Sequence, residues 1–360
     1  MTASPLAWQD IARASAFAHW LAAVAPQHGM QTDTVRLASA DASFRRYFRI
    51  DAASGATSFI IMDAPPDKED CTPFVKIAAL MQSAGLRAPR VLAWDEANGF
   101  MLLSDLGAQT MLDVIAPPLD PLATAEPTQA HFDLYIEAAD LLVDWQRASQ
   151  PGVLPPCDDA LLSRELALFP EWYVGRYRGI TLNAGQQAKL DDAFAQIKAS
   201  NLTALGGARV YVHRDFMPRN LMLDASGEMG VLDFQDAVYG PVSYDIASLM
   251  RDALVSWDEE FVLDITVRYW QKARKAGVPV GDDFGEFYRA VEWMGLQRHL
   301  KVLGIFARLS LRDGKPKYLA DTPRFMKYAR ATCARYRQLG PLMVLLDEIE
   351  GVTTRVGYTF

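Results

Sequence analysis

Apolar residues recur along this chain with two different periods, and the period changes about a third of the way in. Ile11, Phe17, Trp20, Leu21 and Val24 lie on one side of a 3.6-residue repeat and predict a first helix. Residues 33–63 then predict three strands, at 33–37, 43–50 and 58–62, separated by turns rich in Ala, Asp, Ser and Gly. After a break at Ala64-Pro65-Pro66, the stripe Phe74, Ile77, Ala78, Met81 predicts a helix over 72–84, and strands follow at 90–94 and 99–103. The proline-rich stretch 116–130 shows no periodicity and predicts a loop or insert. Beyond it the helical period dominates, over 132–148, 159–175, 185–200, 244–255, 259–275, 284–310 and 323–339. There is no internal repeat. A small β-rich first part and a larger, mostly helical remainder imply an α+β, two-lobed architecture.

Composition narrows the class without choosing a chemistry. The 360 residues suffice for one large two-lobed unit or two domains, and 50% hydrophobic with 22% charged residues is ordinary globular composition. A net charge of −8 supplies no general basic field for nucleic acid or an anionic membrane, so an anionic substrate needs a local basic pocket. Cys71, Cys157 and Cys333 are widely spaced and odd in number, which offers neither a metal pattern nor a disulfide framework. The first helix has no basic flank and is interrupted by His19, so it reads as a surface helix and not a signal peptide. No segment approaches the ~20 apolar residues that span a bilayer, and the cytoplasm is the expected location.

The chemistry lies in Val212-His213-Arg214-Asp215-Phe216-Met217-Pro218-Arg219-Asn220, followed thirteen residues later by Asp233-Phe234-Gln235. This is H-R-D-x-x-x-x-N and then D-F-x, the spacing of a phosphoryl-transfer loop and a metal-binding aspartate. Four fixed residues at fixed spacing arise by chance in about two of every thousand chains this long. Phosphoryl transfer needs positioning and neutralised phosphate charge more than covalent help. Asp215 would accept a proton from the attacking hydroxyl or orient it, while Asn220 and Asp233 would hold Mg²⁺ against the phosphates of ATP. The residues between them read as an apolar strand, a Gly-containing turn over 225–230 and a second apolar strand. That hairpin would place both metal ligands at one end. A purely structural His-Arg-Asp ion-pair cluster would explain neither Asn220 nor Asp233.

These residues resemble the aminoglycoside phosphotransferase and choline kinase branch of the protein-kinase-like fold, and the resemblance covers nearly the whole chain. Tyr239-Gly240-Pro241 through Asp245-Ile246-Ala247 looks like that branch's G-P-x-x-x-D-[LI]-A segment, which implies that Asp245 braces the catalytic loop. Gln235 replaces the usual glycine, and no A-P-E element or activation loop follows, so neither a protein substrate nor a protein partner is implied. The strings 39–49, 62–66, 168–173 and 297–304 are similar to bacterial amino-sugar kinases of cell-wall recycling. That likeness implies ATP- and Mg²⁺-dependent phosphorylation of the C1 hydroxyl of N-acetylmuramate and N-acetylglucosamine.

Two departures bear on the nucleotide. The glycine-rich loop is absent, and Ser39-Ala40-Asp41-Ala42-Ser43 is the expected substitute, with Ser39, Asp41 and Ser43 near phosphate. The third-strand lysine is also absent, since Phe59-Ile60-Ile61-Met62 and Asp63 occupy that stretch. Arg46 is the expected replacement cation, with Arg45 and Arg49 as rivals. Strand alternation puts 45 and 49 on one face and 46 on the other. Met101 to Gly107 reads as the hinge, with Leu103 and Asp105 beside the nucleotide.

For the sugar, Arg219, Arg251, Arg298 and Lys301 are candidate partners of a carboxylate. Glu171 and Trp172 are candidates for a hydroxyl and a ring face. His213 is expected to be structural. The division expected is a nucleotide-binding part over 1–105 and a part over 106–360 with the catalytic loop, metal and sugar site. Two alternatives stay open: a kinase of another small acceptor, such as an aminoglycoside or amino alcohol, and a nucleotide-binding pseudokinase.

Overall fold

A computed structural model describes Trp8 and residues 10–40, 44–55 and 57–352. By mutual packing the chain divides into two units, the first running to Thr110 and including Asn220–Asp236, the second comprising Met111–Arg219 and the chain from Ala237 onward. The hairpin that carries Asn220 and Asp233 therefore packs with the first unit, and Asp215 belongs to the second.

The first unit opens with α1 (Ile11–His28), capped by the Asp10 side chain, which accepts the Ala12 and Arg13 N–H groups. A five-stranded antiparallel sheet follows from β1 (Arg36–Ala40), β2 (Arg46–Asp51), β3 (Ser58–Asp63), β4 (Val91–Asp95) and β5 (Phe100–Ser104), in the order β1-β2-β3-β5-β4. The first strand is displaced from the predicted 33–37, because Thr32–Thr34 forms a 3₁₀ turn with the Thr34 hydroxyl donating to the Gln31 carbonyl. Helix α2 (Thr72–Ser83) buries the predicted stripe Phe74, Ile77, Ala78 and Met81. Phe17, Trp20, Leu21 and Val24 of α1 meet Phe48, Ile50, Ile61, Phe100 and Leu102 to make the core on one face of the sheet. A second small sheet joins β6 (Gln109–Thr110) to the hairpin described below.

In the second unit, α3 (Met111–Ile115) leads through an irregular stretch at 116–128 into α4 (Gln129–Arg147) and α5 (Asp159–Leu168). The helix predicted to continue to 175 instead widens into a π-helix at Phe169–Tyr177, where Pro170 has no N–H to donate. Then come α6 (Ala184–Gly207) and β7 (Arg209–Val212). The chain returns to the first unit as β8 (Leu221–Leu223) and β9 (Met229–Val231), the antiparallel hairpin that the sequence pattern predicts. It re-enters the second unit at β10 (Val238–Pro241), paired antiparallel with β7.

Helix α7 (Tyr244–Met250) stops short of the predicted 255, because the backbone turns at Arg251 and Asp252 accepts the Leu254 N–H. The unit closes with α8 (Glu259–Lys275), α9 (Phe284–Leu311), α10 (Thr322–Arg335) and α11 (Gly340–Glu350), the last not predicted from the sequence. Every residue of α9 from Ala290 to Lys301 is buried. It is the central helix, and α5, the π-helix, α6, α7 and α10 all pack on it.

Candidate active site

In the second unit the catalytic loop leaves β7 at Val212 and turns through Arg214, whose φ of 77° lies in the left-handed region. A non-glycine residue there is strained and persists only where its surroundings enforce it. The carboxylate of Asp245, fully buried in the first turn of α7, accepts the N–H of His213 at 2.6 Å and of Arg214 at 2.9 Å. His213 is buried, and its Nδ1 accepts the Asp215 N–H at 3.3 Å. Burial would raise the Asp215 carboxyl, but Lys301, then Arg298, Arg214 and His213, outweigh it and hold the group below its ordinary value. Asp215 is therefore ionised at neutral pH.

In the first unit, Leu221 pairs with Val231 and the Leu232 N–H donates to the Asn220 carbonyl at 2.8 Å. Asn220 and Asp233 thus leave the same end of the β8–β9 hairpin. Asp233 is exposed and left-handed (φ 62°), and the Gln235 amide braces its carboxylate at 2.8 Å. Among the described residues, no three His, Cys, Asp or Glu side chains gather into a metal cage. One neutral amide oxygen and one carboxylate fit a hard cation that completes its shell with phosphates and water. Phe234 is fully buried and packs on Phe74 of α2, with ring centroids 4.9 Å apart.

The arginines around β2 separate as strand alternation requires. Arg46 lies on the α1 face, where Asp63 accepts its Nε at 3.0 Å and Arg13 Nε at 2.7 Å, with its guanidinium 4.0 Å from the Trp8 ring. Arg46 is thus tied into the α1 face through Asp63 and Trp8. Arg45 is on the opposite face with Tyr47. Glu69, three residues before α2, accepts Arg45 Nε at 3.2 Å and Nη2 at 3.0 Å. Tyr47 hydrogen-bonds Arg45 and feels the charge of Asp233. Met62, fully buried opposite Tyr47, fills part of the stretch where a lysine was expected.

Other expected contacts are engaged within the fold. Asp105 accepts Arg49 Nε at 2.6 Å, Ser58 Oγ at 2.7 Å and the Gly107 N–H at 2.9 Å, so its side chain ties the end of β5 to β2 and β3. Leu103 is buried within β5. Ser39 lies in β1 opposite Tyr47, whereas Asp41 and Ser43 are outside the described residues.

Several of the expected sugar contacts have partners within the fold. Trp172 belongs to the α9 core, with Arg176 4.0 Å over its ring, and Glu171 is exposed and paired with Arg176. Arg251 is bound by Glu259 at 2.8 Å, Arg298 donates to the Arg214 carbonyl, and Lys301 is paired with Glu165 at 2.9 Å. These three cations serve the interior, because a buried charge must be paired where it sits. Arg219 remains at the end of the loop, partly exposed. Glu69, Tyr47 and Glu165 were missed from the sequence. Only the position of Glu69 just before a helix could have pointed to it.

A profile of the Phosphotransferase enzyme family matches residues 34–281. The chain is 50% identical over 312 residues to an N-acetylmuramate/N-acetylglucosamine kinase of Pseudomonas aeruginosa, covering 87% of each chain. It is 46% identical over 347 residues to the protein of that name from Neisseria meningitidis serogroup B, covering 95% of this chain and 98% of the relative. The fold resembles choline kinase LicA of Streptococcus pneumoniae, with TM-score 0.58 at 12% identity over 89% of this chain and 100% of that one. It also resembles ADP-bound aminoglycoside phosphotransferase APH(2'')-Ib, with TM-score 0.56 at 13% identity over 86% and 97%. With the loop, the hairpin and this likeness together, the chain belongs to the phosphotransferase enzyme family and has its protein-kinase-like fold.

Proposed function

We propose that this protein is an ATP-dependent amino-sugar kinase that phosphorylates the anomeric C1 hydroxyl of N-acetylmuramate and N-acetylglucosamine in cell-wall recycling. The observation that carries the reading is the intact Asp215, Asn220 and Asp233 set in a chain 46–50% identical, over most of its length, to kinases named for those two sugars. The ionised Asp215 carboxylate accepts the proton of the sugar hydroxyl as its oxygen bonds to the γ-phosphorus and the bond from phosphorus to the β–γ bridging oxygen breaks, releasing ADP. Asn220 and Asp233 would hold Mg²⁺, which when bound neutralises phosphate charge. Arg45, steadied by Glu69 and Tyr47, supplies the cation that the missing strand lysine would have provided. Arg219, next to Asn220 at the end of the loop, is a candidate for an acceptor carboxylate.

An aminoglycoside or amino-alcohol acceptor is not favoured, because relatives covering most of the chain share one sugar-kinase name. A pseudokinase is disfavoured by the intact loop and by a candidate substitute for the lysine. The test is ADP release by the purified protein with ATP, Mg²⁺ and N-acetylmuramate. Sugar-dependent release is expected, with Asp215→Asn lowering kcat by about 10²- to 10⁴-fold while ADP still binds. Absence of sugar-dependent release overturns the proposal.

A further inference from the structure

A cluster of buried charges packs against the catalytic loop within the second unit. Glu165 of α5 and Lys301 of α9 are 4% and 6% exposed, and their Oε1 and Nζ are 2.9 Å apart. The same Glu165 oxygen accepts Arg214 Nη2 at 2.8 Å. The Tyr244 hydroxyl of α7 closes the group, donating to Glu165 at 3.2 Å and accepting from Lys301 at 3.2 Å. Arg298, one turn before Lys301 on α9, donates to the Arg214 carbonyl. Arg214 is thus held by its side chain, its N–H and its carbonyl, from three different helices, in a conformation that arginine disfavours.

Stability alone does not account for this arrangement. Moving a carboxylate and an ammonium out of water costs much of what their attraction returns, and an apolar pair of similar volume is often as stable. What the charges accomplish is local, since Arg214 immediately precedes Asp215. We propose that Lys301, acting through Glu165 and Arg214, is a positioning residue of phosphoryl transfer that locks the left-handed turn and so aims the Asp215 carboxylate.

The inference rests on the reading of Asp215 as proton acceptor. It also assigns Lys301 a role other than sugar binding. Among the described residues, the charged and titratable groups facing this part of the loop include Lys301 and Arg298 from α9, Glu165 from α5, Cys157 just before α5, Tyr244 and Asp245 from α7, and His213 and Arg214 from the loop itself. Removing the Lys301 charge leaves burial of Asp215 less opposed, so its carboxyl rises and the acid limb of kcat/KM moves to higher pH.

The experiment compares Lys301→Met, Lys301→Arg and the double variant Lys301→Met/Glu165→Gln in the full chain, with ADP affinity and thermal stability measured beside kinetics. Lys301→Met is expected to lower kcat about 10- to 100-fold with KM for ATP within about twofold, and to shift the acid limb to higher pH. Lys301→Arg should recover most of kcat and return the limb. The double variant, which no longer buries an unpaired carboxylate, should regain stability without regaining kcat. If it regains both, or if Lys301→Met leaves kcat and the limb unmoved, Lys301 is only structural. Wild-type kcat in Asp215→Asn would instead overturn the proton-acceptor reading.

Discussion

Asp63 holds two arginines, Arg13 and Arg46, on the α1 face of the sheet, while Glu69 holds Arg45 on the other. Arg45 and Arg46 are adjacent in the chain, and successive side chains of extended backbone point to opposite faces. The alternation was legible in the sequence, but the packing of the Asn220–Asp236 segment with the first unit was not, because that contact is tertiary. Charge-assisted hydrogen bonds are worth about 1.5–3 kcal/mol, so Arg45→Met should weaken ATP binding about 10- to 100-fold by calorimetry. Arg45→Lys should lose less, and Arg46→Met should leave nucleotide affinity unchanged while lowering stability. Equal losses of affinity from both positions would refute the assignment.

At the scale of elements, α9 and the α5–π-helix junction fit through one missing side chain. A Cβ on Gly304 would lie 2.4 Å from the Leu168 carbonyl carbon and oxygen, and backbone atoms cannot step aside as a flexible side chain does. Gly304→Ala should therefore destabilise the protein by about 1–3 kcal/mol, read as a lowered urea midpoint. An unchanged midpoint would show that the two elements are not in such close contact. Long periodic segments such as 259–275 and 284–310 were legible because one face, or most of the surface, of each is apolar. The helix Gly340–Glu350 was not, because Pro341 and the near-continuous apolar run Leu342-Met343-Val344-Leu345-Leu346 obscure its period. The π-helix was missed for a related reason: its residues carry a helical pattern, and only the packing around it sets the wider turn.

For the whole molecule, carboxylates held by arginine and lysine contribute stability that acid removes. Glu165 is raised by burial but lowered more by Lys301 and Arg214, ending at about 2 from an ordinary 4.5, and Glu259 reaches about 2 chiefly through Arg251. A carboxyl whose folded value lies below its unfolded one contributes stability that is complete above pH 4.5 and is lost as pH falls toward 2. Denaturant midpoints measured from pH 7 to pH 2.5 should fall chiefly below pH 4.5, and Glu165→Gln should flatten that fall. An equally steep fall in the variant would remove Glu165 from the account.

The sequence by itself determined the reaction type: His213, Asp215, Asn220 and Asp233 stand at the spacing of a phosphoryl-transfer loop and hairpin. It also carried the α+β order of elements, because each element's period is local. Tertiary structure alone decided the partners of the charges. Lys301 and Arg298 read in the sequence as cations open to a substrate, and folding gave each a partner far away in the chain, Glu165 and the Arg214 carbonyl. The reason is physical: a charge leaves water only where an opposite charge or a dipole already waits, and that place is set by helix packing, which no local spacing records.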